Sequence, residues 1–295
     1  MKIILKSIKP RSHGQPQRVV FLFRTAKEGH IGNMYNDVID LRDFYKSPLG
    51  HTAQRIIRRH IRGVWPNTHG MSVAGIGYPI PYLRPFVDES ERVVALMPPQ
   101  QGCMRWPTEG SNIVSLASED ELPLPDVSMD RILVIHALEC SEHLRKLLRE
   151  IWRIMTEGGR VLIVVPNRRG IWARVDNTPF GHGHPYTSGQ VSRLLRDNLF
   201  QPEGSSAGLF VPPTKSRMAL ASASPIERLG FKWFKTVGGV LFLEAQKQIY
   251  AGSATTVDSA TKEQKGRYVR AVGGRGTESG TTQTRNCRSS LFPRQ

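Results

Sequence analysis

The sequence predicts an α/β protein built on a doubly wound, mostly parallel sheet. Three observations carry that reading. Short apolar runs alternate with amphipathic stretches over about 200 residues. The first clear run, from Met71, closes on Gly75-Ile76-Gly77, the strand-to-turn opening of a βα unit. The most apolar run, residues 160–165 (RVLIVV), follows a strongly amphipathic segment, as expected of a strand buried on both faces.

Taken in order, Ser47-Pro48 supplies a capping residue and a proline at the first helical position. Leu49, Ala53, Ile56, Ile57 and His60 then mark a helical stripe. The glycine-closed strand follows, and residues 92–97 and 112–116 read as the second and third strands. Residues 122–126 (LPLPD) form a turn-rich link to a fourth strand over 131–135. Ser141 is placed to cap a helix whose apolar face is Leu144, Leu147, Leu148, Ile151, Ile154 and Met155, with Gly158-Gly159 ending it before the fifth strand. Thr187 and Gln190 form a capping box opening a helix with Val191, Leu194, Leu195 and Leu199 inward. Phe210-Val211, a helix over 215–229 and a last strand over 240–245 complete the pattern.

Composition bounds the function classes. The 295 residues are 39% hydrophobic, enough for a core, which excludes wholesale disorder. No apolar run reaches the ~18 residues of a membrane span. Cys103, Cys140 and Cys287 form neither a disulfide framework nor a CxxC site, which points to a reducing, cytoplasmic setting. The net charge of +16 suggests nucleic acid by habit, but its placement argues otherwise. Residues 1–33 hold seven basic residues against one acid, and residues 247–295 nine against three, leaving 25 against 21 between. The chain therefore reads as a basic, unstructured leader (1–33), one domain (34–250) and a disordered basic tail (251–295), with nucleic acid disfavoured as a partner.

The glycine turn is poor for a dinucleotide. Pro79 and Pro81 remove backbone donors that a pyrophosphate needs. Where an acid would hold a ribose, about 20 residues on, stand Met97-Pro98-Pro99. A cofactor without phosphate would not miss those donors.

Over residues 40–246 the chain resembles the class I S-adenosylmethionine-dependent methyltransferases of the type 11 domain family. The resemblance rests on Glu121 to Asp130 (ELPLPDVSMD), the following RILVIHALE, the helix segment LREIWRIM from Leu148, and GGRVLIVVPN from Gly158 to Asn167. It implies a Rossmann-like single domain, S-adenosyl-L-methionine as cofactor, and methyl transfer to a small-molecule acceptor. The alternative is a methyltransferase-fold binding or regulatory module with little activity. The resemblance places Gly75, Gly77 and Tyr78 around the methionine part of the cofactor and Glu119 or Asp120 at the adenine edge; Gln101 (or Gln100) stands as a substitute ribose contact where the family's acid is missing. His136 is expected at the end of the fourth strand, facing the site. Departures are Val73 and Pro79 in the glycine motif, the missing ribose acid, and Cys140 after Glu139 where the family often has His.

His182 and His184 form an H-x-H pair in a loop after the fifth strand. Two ligands fall short of a metal site, so they stand as candidate bases beside His136, as substrate contacts with Tyr186 and Asn167, or as loop packing. Neither the kind of acceptor atom nor the oligomeric state is written in these motifs.

Overall fold

The computed structural model describes residues 35–248 apart from 215, 234 and 235. The leader and tail expected at residues 1–33 and 251–295 lie outside the described residues. Within them, seven strands form one sheet: β1 (Ser72–Gly77), β2 (Arg92–Met97), β3 (Val114–Leu116), β4 (Met129–Ile135), β5 (Met155–Pro166), β6 (Phe200–Gly208) and β7 (Val240–Lys247). Their order is β3-β2-β1-β4-β5-β7-β6. The first five strands are parallel, and β7 runs antiparallel to both β5 and β6. No helix among the described residues is long and apolar enough to cross a membrane.

Successive side chains of a strand point to opposite faces, and the apolar strands use this to serve two cores. On β4, Leu133 and Ile135 face one core while Ile132 and Val134 face the other. The first core is covered by α1 (Val38–Lys46), α2 (Pro48–Val64) and α3 (Ile80–Val87). The second is covered by α4 (Leu144–Ile154) and α5 (Ser188–Asp197). Two short helices, α6 (Arg217–Ala221) and α7 (Ala223–Trp233), precede β7.

Capping explains the sharp ends. Asp37 accepts from Ile39 N–H at 2.7 Å to start α1. Ser47 closes α1 with its backbone N–H and opens α2 by accepting from Gly50 N–H at 3.0 Å. A Cβ on Gly50 would lie 2.0 Å from Phe44 O, so this junction requires glycine. Thr187 and Gln190 form the expected capping box.

Several expectations are corrected. Ser141 does not cap α4: His143 holds that position without a side-chain bond, and Ser141 Oγ donates to Glu119 instead. Gly158-Gly159 do not end the helix. Strand β5 begins at Met155, and the glycines lie where the β4–β5 register shifts. Leu199 has φ 64° and is exposed rather than inward. The helix expected over 215–229 is broken between α6 and α7. Neither α1 nor β6 is anticipated by the sequence; β6 is an edge strand that carries Pro202 at a register shift, where a proline is tolerated.

The LPLPD link is held by one side chain. Arg153, near the end of α4, donates to Glu150, Asp126 and the carbonyls of Leu122 and Leu124. Glu150 in turn accepts from Leu122 N–H at 2.9 Å. These hydrogen bonds raise the Arg153 pKa and hold the Glu150 carboxyl below its ordinary value. The motif therefore acts as a structural latch at the N-terminal end of β4.

Candidate functional site

Ligands in open α/β sheets gather outside the carboxyl ends of the strands, and the unusual polar groups of this chain gather there. At the end of β1, Gly77 turns with φ 93°, and a Cβ would lie 2.2 Å from Ile135 O. Tyr78 N–H donates to that same carbonyl at 2.9 Å. The open face of Gly75 is filled by the Pro79 ring and Leu83, so close packing explains this glycine as well as a ligand does. Tyr78 is buried and stacked on Tyr45, with ring centroids 5.8 Å apart, and burial pushes its phenol up to about 12.

His136 follows β4 with φ 54°, a strained backbone for a residue with a side chain. Tyr82 O–H donates to Tyr45 Oη at 2.8 Å, and Tyr45 Oη lies 2.7 Å from His136 Nε2. On the other edge, His136 Nδ1 is 3.4 Å from Glu139 Oε1, an electrostatic contact rather than a hydrogen bond. Phe180 packs against the imidazole at 5.0 Å. The result is a buried line Tyr82–Tyr45–His136–Glu139. Desolvation drives the phenols of both Tyr45 and Tyr82 far upward.

What distinguishes this region is polarity without partners. Glu139 is 1% exposed and neither carboxylate oxygen has a hydrogen-bond partner among the described residues. Gln101, also 1% exposed, lacks partners for both carboxamide atoms. Glu119 Oε1 and Tyr35 Oη are likewise unpaired. Buried polar groups are otherwise almost always satisfied, and each such omission costs about 1–3 kcal/mol. The side chains of Gln101, Glu119 and Glu139 follow β2, β3 and β4 respectively. Val38 N–H donates to Gln101 O at 2.9 Å, which pins α1 over the same edge.

The other expected residues lie differently. Glu119 Oε2 accepts from Ser141 Oγ at 2.5 Å, and burial raises its carboxyl. Asp120 instead forms an exposed pair with Lys146 at 2.8 Å, so Glu119 is the one of the two that turns inward. Asn167 donates to the carbonyls of Thr236 and Gly238 and accepts from Arg169 N–H. Its amide thus staples the end of β5 to the approach to β7. Tyr186 is partly buried against the second core and its hydroxyl reaches Leu138 O at 3.5 Å. His182 and His184 are exposed. That loop reaches the centre through backbone, His184 N–H donating to Glu139 O at 2.7 Å. Among the described residues no group of three or more His, Cys, Asp or Glu is placed to hold a metal ion.

Sequence reasoning passed over Glu139, Tyr45 and Tyr82. Glu139 had a signal, as the acid next to a histidine-bearing strand end. The tyrosines had none: Tyr45 lies on α1, which was not anticipated, and nothing local marks Tyr82 on α3.

The methyltransferase domain family matches residues 74–163. No curated protein matches the chain. A Haloferax volcanii complex of a methyltransferase activator, Trm112, with a protein described as a methyltransferase aligns at 17% identity and a TM-score of 0.50, over 72% of this chain and 99% of that one. An Archaeoglobus fulgidus S-adenosylmethionine-dependent methyltransferase aligns at 17% identity and 0.47, over 66% and 94%. A Burkholderia thailandensis 1,6-didemethyltoxoflavin-N1-methyltransferase, solved with its substrate and S-adenosylhomocysteine, aligns at 16% and 0.43, over 72% and 84%.

Proposed function

We propose, for a chain that carries a methyltransferase domain over residues 74–163 on the sheet of the S-adenosylmethionine-dependent class, that it moves a methyl group from that cofactor to a small-molecule acceptor. The observation that carries the reading is the set of unpaired buried polar atoms at the ends of β2, β3 and β4. They fit the cofactor's needs: the Gln101 carboxamide for ribose hydroxyls, Glu119 Oε1 for the adenine amino group, and Glu139 Oε2 for an ammonium. Gln101 and Glu119 thereby offset the acids missing from the glycine and ribose motifs, which had favoured an idle binding module. Bound there, the cofactor supplies an electrophilic methyl on a sulfonium.

The chain's own residues supply alignment, dryness and a proton path. Glu139 Oε1 facing Nδ1 favours the imidazole tautomer protonated on that nitrogen, leaving His136 Nε2 as an acceptor. A proton released by an acceptor O–H or N–H passes to Tyr45 Oη as the Tyr45 proton passes to His136 Nε2. The imidazolium so formed lies beside the Glu139 carboxylate, which stabilises it. His136 is thus the base of choice over the exposed His182 and His184.

Calorimetric titration of the full chain with S-adenosylmethionine tests this. Binding is expected, and Gln101→Leu is expected to weaken it about ten-fold without lowering the melting temperature, because an unsatisfied amide is removed. Absence of both heat and thermal shift at millimolar cofactor overturns the reading.

A further inference from the structure

We propose that the cleft between α2 and α7, at the edge of the sheet, binds a small organic anion: one charged head group on an apolar body. The site stands apart from the methyl-transfer centre and does not depend on that reading. Strand β6 closes this edge, three strands from β4, or about 14 Å at ordinary strand spacing. The cleft holds about 530 Å³, within the range that encloses small organic ligands.

Charge selects the head group. Arg59 on α2 and Arg228 on α7 line the cleft from either side, together with Glu227. Glu227 is already engaged: one carboxylate oxygen accepts from Leu209 N–H at 2.7 Å, the other from Phe210 N–H at 2.8 Å. Two guanidiniums therefore stand against one carboxylate whose oxygens hold the backbone after β6. A carboxylate, sulfate or phosphate head group would gain charge-assisted hydrogen bonds from them.

His60 and Ser206 add a further donor. His60 Nε2 lies 2.7 Å from Ser206 Oγ, and both residues line the cleft. Burial lowers the imidazole pKa, which favours the neutral ring with a single N–H. The pair then holds two polar hydrogens, one of which is used between its own members. In one tautomer the Ser206 O–H is left over, in the other the His60 Nδ1–H. Neither has an acceptor among the described residues.

Apolar contacts select the body. Ile56 and Val64 from α2 and Phe231 from α7 line the same cleft. The Phe231 ring stands 6.4 Å from His60, which is itself stacked on Phe242 at 3.9 Å. Phe231 is 52% exposed, so an apolar body seated against it covers surface that the fold leaves in water. Gly63 opens the α2 wall, since a Cβ built there meets nothing within 4 Å. Other clefts of similar size offer a different mixture. The one between α4 and α5 sets Arg145, Lys146 and Arg149 around Leu194, and the one at the end of α3 sets Asp88 and Glu109 against Arg84.

Fluorescence titration of the full chain with 2-naphthoate and with 2-naphthol, at neutral pH, tests the assignment. The anion is expected to bind at least about ten-fold more tightly than the neutral probe, and more weakly as salt is raised. Acetate, a head group without a body, is expected to displace 2-naphthoate only at about hundred-fold higher concentration. Arg59→Gln and Arg228→Gln, both at exposed side chains, are each expected to weaken 2-naphthoate about five-fold and to leave 2-naphthol unchanged. Gly63→Leu fills the open wall and is expected to weaken both naphthyl probes by about ten-fold or more. Its melting temperature should hold or rise, because leucine favours a helix over glycine. Equal binding of the two probes, displacement of 2-naphthoate by S-adenosylhomocysteine, or equal competition by acetate overturns the proposal. So does full 2-naphthoate affinity in both arginine variants or in Gly63→Leu.

Discussion

At the N-terminal end of β4, Arg153 meets two carboxylates and two carbonyls, and each of these groups is paired. At the C-terminal end of the same strand, Glu139 lies buried with neither oxygen hydrogen-bonded, beside a histidine on strained backbone. The two regions use the same chemistry, carboxylates near nitrogen bases, to opposite ends. The latch satisfies its polar groups and so contributes stability. The far end leaves them open, a destabilising arrangement that persists where a ligand is to complete it.

That contrast is sharpest for stability. Arg153→Ala strands Glu150 and frees the link, and is expected to cost about 2–4 kcal/mol, read as a melting-temperature fall of roughly 5–15 °C. Glu139→Gln should act in the other direction. Replacing an unpaired buried carboxylate by a neutral amide is expected to leave stability unchanged or to raise it by about 1–2 kcal/mol, while methyl transfer falls. A destabilised Glu139→Gln protein would erase the distinction between the two ends.

Smaller effects follow from titration. Glu150 is held below its ordinary value of 4.5, chiefly by its hydrogen bonds to Arg153. Its contribution is thus complete above pH 4.5 and is lost as pH falls through the lowered value. Glu150→Gln is expected to lower stability at neutral pH and to flatten the acid limb of a melting-temperature profile. At the weak end, Asp120→Asn breaks only an exposed pair with Lys146 and should change stability by less than about 0.5 kcal/mol. A larger change would tie Asp120 to the neighbouring buried carboxylate of Glu119.

Local patterns were legible wherever one residue's neighbours in sequence are also its neighbours in space. The Ser47 and Thr187 caps, the strands β4 and β5, and the Gly77 turn all appear as read. Misreadings cluster where tertiary pairing overrode local preference. Gly158-Gly159 look like a helix end but fall inside β5, in the register shift between its Met155 and Arg160 pairings with β4. β6 looks like a polar loop and becomes a strand by adding to the edge at β7. Among the candidate site residues, Gln101 and Glu119 hold buried, unpaired polar atoms, whereas the Asn167 amide is bonded within the fold.

The sequence by itself determined the alternation of elements and the glycine turn after β1, since each depends on spacing within a few residues. Only the tertiary structure decided what His136 meets. Tyr45 stands 91 positions away, on a helix with no strong signal of its own, and Phe180 comes from a loop beyond β5. No local pattern encodes such a meeting, because it is fixed by how two layers pack on one sheet edge.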